Sequence, residues 1–177
     1  MLLLLASTAQ AGGYYFSDIG VRAYSRGGAF VAGADDLTAL YYNPAALTRL
    51  RRGTVTLNVA GVDQAIMFDR LDYPGEGPGG EDLINPPVEN QAPAYAIPHL
   101  GVSHTFGLPN TTFAFGFYPP YAPDVAYPSD GPQRYSLVDT LVIQTVTGPS
   151  VAHRVLPWLS VGVGVTWNVL IVEQDLN

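Results

Sequence analysis

The chain has 177 residues, of which 47% are hydrophobic and only 13% charged, with no cysteine and a formal net charge of −7. Without cysteine there is no disulfide framework or thiolate metal site, and every positive charge is an arginine outside any basic stripe, which excludes nucleic acid as a partner. No stretch approaches the ~18 apolar residues of a spanning helix, which leaves a soluble all-β domain or a membrane β-barrel, in which lipid-facing and lumen-facing residues alternate.

Leu2 to Leu5 form an apolar run, and Ala9-Gln10-Ala11 sets small residues where signal peptidase requires them. Residues 1–11 therefore read as an export signal, with Gly12 as the expected mature start. A basic segment normally precedes such a run, whereas Leu2 here follows Met1 directly, so the signal is expected to be truncated.

Residues 12–52 differ from everything after them. Asp35 or Asp36 is placed to cap a short helix with Leu37, Leu40 and Tyr41 on one face. Asn43-Pro44 then fits an N-cap followed by proline at the first helical position, where a missing N–H costs nothing. Ala45, Ala46, Leu47 and Leu50 continue that turn, arginines gather at its negative end, and Gly53 is placed to supply the left-handed stop. A unit this small cannot hold a core of its own, so it is expected to pack inside something else.

Period-two alternation begins at Thr54. In TVTLNVAGV, Val55, Leu57 and Val59 oppose Thr54, Thr56 and Asn58. From Pro98 to Phe106, Leu100, Val102 and Phe106 oppose His99, Gly101, Ser103 and Thr105; from Thr111 to Tyr118, Phe113, Phe115 and Phe117 oppose Thr112, Ala114 and Gly116. A fourth run over Leu137 to Val155 is weaker and is interrupted by Pro149. After Trp158, alternate residues from Leu159 to Ile171 are apolar, opposite Ser160, Gly162, Gly164, Thr166 and Asn168. A soluble sandwich would alternate in the same way, and the connections separate the two readings. Asp69–Ala96, rich in proline and carboxylates, and Tyr118–Tyr135, also proline-rich, read as long loops. Gly107–Asn110 and Leu156-Pro157 read as short turns. Long and short in alternation is the trace of an outer-membrane barrel, and Tyr118, Tyr121 and Trp158 fall near strand ends, where an aromatic girdle belongs.

The segment GVRAYSRGGAFVAGADDLTALYYNPAALTRL, from Gly20 to Leu50, resembles the N-terminal hatch of the long-chain fatty acid transporter (FadL-like) family of outer-membrane proteins. Gly20-x-Arg22, Gly27-Gly28-Ala29, Ala34-Asp35 and Asn43-Pro44-Ala45 follow the family order, and GFYPPYAPDVAYPSDGPQRYSLVDT and PSVAHRVLPWLSVGVGVTWN resemble its strand-and-loop segments. The resemblance implies an all-β fold: an antiparallel transmembrane barrel of fourteen strands plugged by a small helical hatch, in the outer membrane of a Gram-negative bacterium. It implies passive uptake of long-chain fatty acids or other hydrophobic compounds, captured at outer loops and released sideways into the bilayer where a strand is distorted. Its implied partners are a fatty acid or hydrocarbon ligand, membrane lipid and lipopolysaccharide; it implies a monomer, with no cofactor.

On that resemblance Arg22, Gly27, Gly28, Asp35, Asn43, Pro44 and Ala45 are the hatch motif, structural or gating in role. Tyr118, Tyr121, Val125 and Tyr127, with Pro119 and Pro120, form either the capture surface or a proline-stiffened loop without ligand. Gly116 marks either a strand distortion or a small residue packing against the hatch. Residues 53–177 supply about five strands of the expected fourteen. Five cannot close, and open edges are not tolerated in lipid, so the sequence is expected to be the first part of a longer protein.

Catalysis has little support. There is no Gly-x-Ser-x-Gly elbow, no His-Glu-x-x-His, and no Gly-Lys-Ser/Thr after the glycines around Gly28. His99, His104 and His153 lack metal-ligand spacing. The rival readings are a lipase-like outer-membrane barrel enzyme and a periplasmic lipid-binding β protein, neither of which accounts for a hatch-like unit between signal and strands.

Overall fold

The computed structural model describes residues 16, 18–50, 52–72, 74–75, 78–82 and 84–175. The expected signal of residues 1–11, the Gly12 start and Arg51 lie outside the described residues.

Short helical elements come first: α1 (Val21–Tyr24), α2 (Ala39–Tyr42) and a 3₁₀ turn over Pro44–Arg49. The strands follow as β1 (Thr54–Val62), β2 (Met67–Phe68), β3 (Val88–Glu89), β4 (Tyr95–His104), β5 (Thr111–Tyr121), β6 (Asp124–Ala126), β7 (Asp139–Leu156), β8 (Leu159–Gly164) and β9 (Trp167–Asp175). β1, β4, β5 and β7 lie side by side, all antiparallel; β6 extends the β5 edge of β7, while β8 and β9 share its opposite edge. The sheet is thus five long staves joined by two short turns at one end and long loops at the other. It is part of a transmembrane barrel, with the helical unit against its inner face.

Side-chain chemistry divides the two faces. Val55, Leu57, Val59, Leu100, Val102, Phe113, Phe115, Val161, Val163, Val169 and Ile171 are exposed on the outside, a continuous apolar band of the kind that faces lipid. The inner face is built from small residues in transverse rows. Gly101, Gly116 and Gly148 are cross-strand partners, as are Ser103, Ala114, Ser150 and Gly164 in the next row but one. Against these rows the hatch buries Ala23, Phe30, Ala34, Leu37, Ala39 and Leu47 together with Ala114 and Ala152. The helical unit gains in this way the core it cannot form alone.

Several expectations are corrected. β1 has the expected bounds, but β4 starts at Tyr95 and β5 continues through Pro119 and Pro120 to Tyr121. A two-residue ladder pairs β2, just before the acidic loop, with β3 inside it. Pro149 does not end the fourth strand: β7 runs through it, with Pro149 opposite Phe115. What Pro149 interrupts is its neighbour. Val165 donates to the Pro149 carbonyl, but proline has no N–H to return, and the partner strand is divided into β8 and β9 at Val165–Thr166 although Ser150↔Gly164 and Thr147↔Trp167 keep one register. The left-handed residue after the 3₁₀ turn is Arg52 (φ 69°), not Gly53. Of the expected girdle, Trp158 is 79% exposed at the turn, whereas Tyr118 packs on hatch Tyr41, with ring centroids 5.3 Å apart. At that same turn end Phe106 packs edge to face on His104 and on Phe113.

Candidate functional site

The β5–β7 register is regular from Thr111↔His153 to Tyr118↔Val146 and shifts before Tyr121↔Gln144. The irregularity therefore lies at Pro119-Pro120. Gly116 is in register, and its inner side is filled by Leu40, whose Cδ1 would be 2.7 Å from an added β-carbon; it is a packing position. The prolines cannot donate to a ladder, and a bulge reverses which side chains face each side of the strand beyond it. Phe117 and Pro119 face outward, and so do Ala122 and Asp124 after the shift, while Tyr121, Pro123 and Val125 face inward.

The bulge leaves an opening in the wall. β4 pairs with β1 from Tyr95 to Ser103, but with β5 only from Leu100↔Phe117 to His104↔Phe113. The edge of Tyr95–His99 therefore carries no ladder to Tyr118–Tyr121. The gap is closed above by the Tyr95 hydroxyl, which donates to the Ala122 carbonyl and accepts from Gln64 Nε2 at 2.9 Å. It forms a window whose cavity of about 290 Å³ is lined by Tyr95, Pro98, Phe117, Pro119, Leu141 and Ile143, with Asp124 at its lip. No arginine or histidine is among its lining residues.

Behind the window sits the hatch. Leu37, Leu40 and Tyr41 approach His99, Gly101 and Tyr118, leaving a void of only about 20 Å³. The Phe16 amide donates to the Pro120 carbonyl at 3.0 Å, which ties the start of the described chain to the bulge itself.

The inward side chains beyond the bulge meet in a second cavity of about 240 Å³, under the long loops. Tyr121, Val125 and Tyr127 line it with Phe68, and Phe68 and Tyr127 meet edge to face. Gln133, buried alongside, donates to the Pro128 carbonyl at 2.6 Å. Three of the four expected capture residues are thus brought together, as a recess and not as the open loop surface expected, with Val125 only 3% exposed. Tyr118 stands apart against the hatch.

The hatch-motif residues are spread over the plug. Arg22 pairs with Asp35 at 2.9 Å, both half-exposed. Gly27 and Gly28 have φ of 57° and 81°, a left-handed turn that glycine adopts without strain, and a β-carbon at Gly28 would be 2.9 Å from Asp18 Oδ1. Asp36, not Asp35, makes the cap-like bond, accepting from the Thr38 amide at 2.9 Å. Asn43 holds the N-cap position before Pro44, but its side chain makes no cap; Nδ2 donates to the Val31 carbonyl at 3.3 Å. Ala45 lies on the bare backbone of Gly162, where an added β-carbon would be 2.4 Å from the Ala45 nitrogen.

Residues that the sequence did not single out complete the docking. Arg49 donates to the carbonyls of Ala32 and Ala34. Arg154 reaches in from β7 to the Thr48 carbonyl at 2.8 Å, and the Thr48 and Ser160 hydroxyls are 2.9 Å apart. The Ile19 amide donates to the Tyr42 hydroxyl at 2.6 Å, and burial pushes that hydroxyl up to about 12, with Asp18 adding to the rise. These groups hold a plug in place; among the described residues no group of metal-ligating side chains is present.

A family model described as outer membrane protein transport protein (OMPP1/FadL/TodX) matches residues 2–173. An outer membrane protein of Neisseria meningitidis serogroup B is 26% identical over 136 residues, covering 75% of this chain and 28% of that protein. The fold is similar to the crystal structure of a Pseudomonas aeruginosa FadL homologue, with a TM-score of 0.61 and 19% identity over 75% of this chain and 32% of that one. The chain spans about a third or less of the length of either relative.

Proposed function

The chain belongs to the outer membrane protein transport protein family (OMPP1/FadL/TodX), and from that premise we propose that it forms the hatch and first strands of a channel for passive uptake of hydrophobic compounds, released sideways between β4 and β5. The family is one of transport proteins, not enzymes, and the chain is an outer-membrane protein of Gram-negative type.

The observation that carries this reading is the missing ladder beside Tyr95–His99, backed on the barrel side by the hatch. A cargo captured in the recess of Tyr121, Val125 and Tyr127 would move into the barrel and leave through the window, displacing Tyr41 and Leu40 on the way. Long-chain fatty acids or hydrocarbons are the fitting cargo, since each buried CH₂ is favoured by about 0.8 kcal/mol and a sideways exit delivers the chain to lipid without returning it to water. No energy source is required for such a path. The Phe16–Pro120 bond ties Phe16 to the bulge, and a shift of the bulge would release it.

The test is to restore the ladder. Replacing Pro119 and Pro120 by valine in the full-length protein supplies the absent donors and closes the window. Uptake of a labelled alkane or fatty acid by cells should fall to background while the barrel still inserts and resists heat. Undiminished uptake would rule out exit between β4 and β5.

A further inference from the structure

The register that carries β5 past its bulge also fixes what lies at the mouth of the window. Asp124 is the direct cross-strand partner of Leu141, and Leu141 of Glu173, so these three share the outer face in one row. In the next outward-facing row Asp139 is the partner of Asp175. Four carboxylates, Asp124, Asp139, Glu173 and Asp175, therefore stand on the outside of the wall at its long-loop end, and Asp124 is the one that lines the window itself. Its companions there are aliphatic, aromatic or proline side chains and Thr145, with no cation. Of the arginines from the long-loop end, Arg70 donates to the Pro132 carbonyl and Arg134 to those of Asp130 and Gly131. His99 is on the same edge of β4 but turned inward, buried against the hatch.

A mouth of this kind discriminates by charge. A neutral chain meets apolar walls and one carboxylate that it need not approach. A carboxylate headgroup must pass a fixed like charge with no cation to offset it, where the low dielectric of the wall and lipid strengthens the repulsion. We infer that Asp124 is a specificity-determining residue which makes this exit selective for neutral hydrophobic molecules (hydrocarbons, long-chain alcohols or esters) over ionised fatty acids. The inference rests on the lateral-exit reading and narrows its substrate class.

The experiment compares matched probes in the full-length protein, expressed in a host outer membrane without other channels for hydrophobic compounds. Initial uptake of labelled hexadecan-1-ol and hexadecanoate is measured at mildly alkaline pH for the unaltered protein, Asp124→Asn and Asp124→Glu, with heat-resistant migration confirming that each is folded. The unaltered protein and Asp124→Glu should prefer the alcohol. Asp124→Asn should raise hexadecanoate uptake relative to that of the alcohol roughly tenfold or more. A ratio of rates that Asp124→Asn does not move, or equal rates in the unaltered protein, overturns the inference while leaving lateral exit standing. Entry of neither probe through the folded protein overturns the transport reading, and the selectivity with it.

Discussion

Gly116 and Leu40 are fitted to one another across the boundary between wall and plug: a β-carbon on the glycine would stand 2.7 Å from the leucine Cδ1. The same relation recurs between Gly162 and the Asn43-Pro44-Ala45 turn, but there the atoms that would be struck, at 2.4 and 2.5 Å, are backbone. A leucine tip moves aside easily, whereas a proline-stiffened turn does not.

Gly116→Ala is therefore expected to cost well under 1 kcal/mol and Gly162→Ala about 1–3 kcal/mol, with the second loosening the hatch. Protease cleavage ahead of Thr54 and the urea midpoint of the full-length protein would measure the difference. Equal effects at the two sites would mean that the turn does not press on β8 as described.

Leu57 lies mid-strand on the outer face and is 64% exposed. If that face meets lipid, Leu57→Arg should cost about 2–4 kcal/mol. On a face bathed in water the same substitution would stay within about 0.5 kcal/mol. Equilibrium unfolding from detergent or lipid vesicles distinguishes the two, and a neutral result would contradict the membrane placement.

Pro149→Val should stabilise the protein. It restores an N–H opposite Val165, worth about 1 kcal/mol, at an exposed position where a β-branched side chain suits the strand. The variant should unfold at higher urea and protect the amides around Val165–Thr166 from hydrogen exchange. A lowered midpoint would show that the break between β8 and β9 has a cause other than the missing donor.

The strands were legible because a membrane wall enforces strict alternation: Thr54–Val62 is delimited by its sequence, and the outward set Val55, Leu57 and Val59 is the set found exposed. The plug was legible from its motif order and small size. What escaped depends on partners distant in sequence. Pro119-Pro120 looks like loop wherever it stands, and only pairing with β7 keeps it in a strand. Nothing local announces the register shift that follows, so the turn of Tyr121 and Val125 to the inner face is visible only in the pairing with β7. Gly116 illustrates the same limit, since a strand glycine that bends the chain and one that receives a neighbour are identical in sequence. Arg49 and Arg154 were visible only as charges near the ends of elements; their roles come from the carbonyls they reach.

The bulge at Pro119-Pro120 makes the chemistry of the wall a matter of counting. Were the same residues to pair with β7 without the bulge, everything up to Ala126 would exchange sides, turning Asp124 into the lumen and setting Tyr121 and Val125 against the bilayer. In such a wall the pairing of two prolines decides which side chains meet a passing molecule, with no side chain altered. Selectivity is then inherited through spacing as much as through composition.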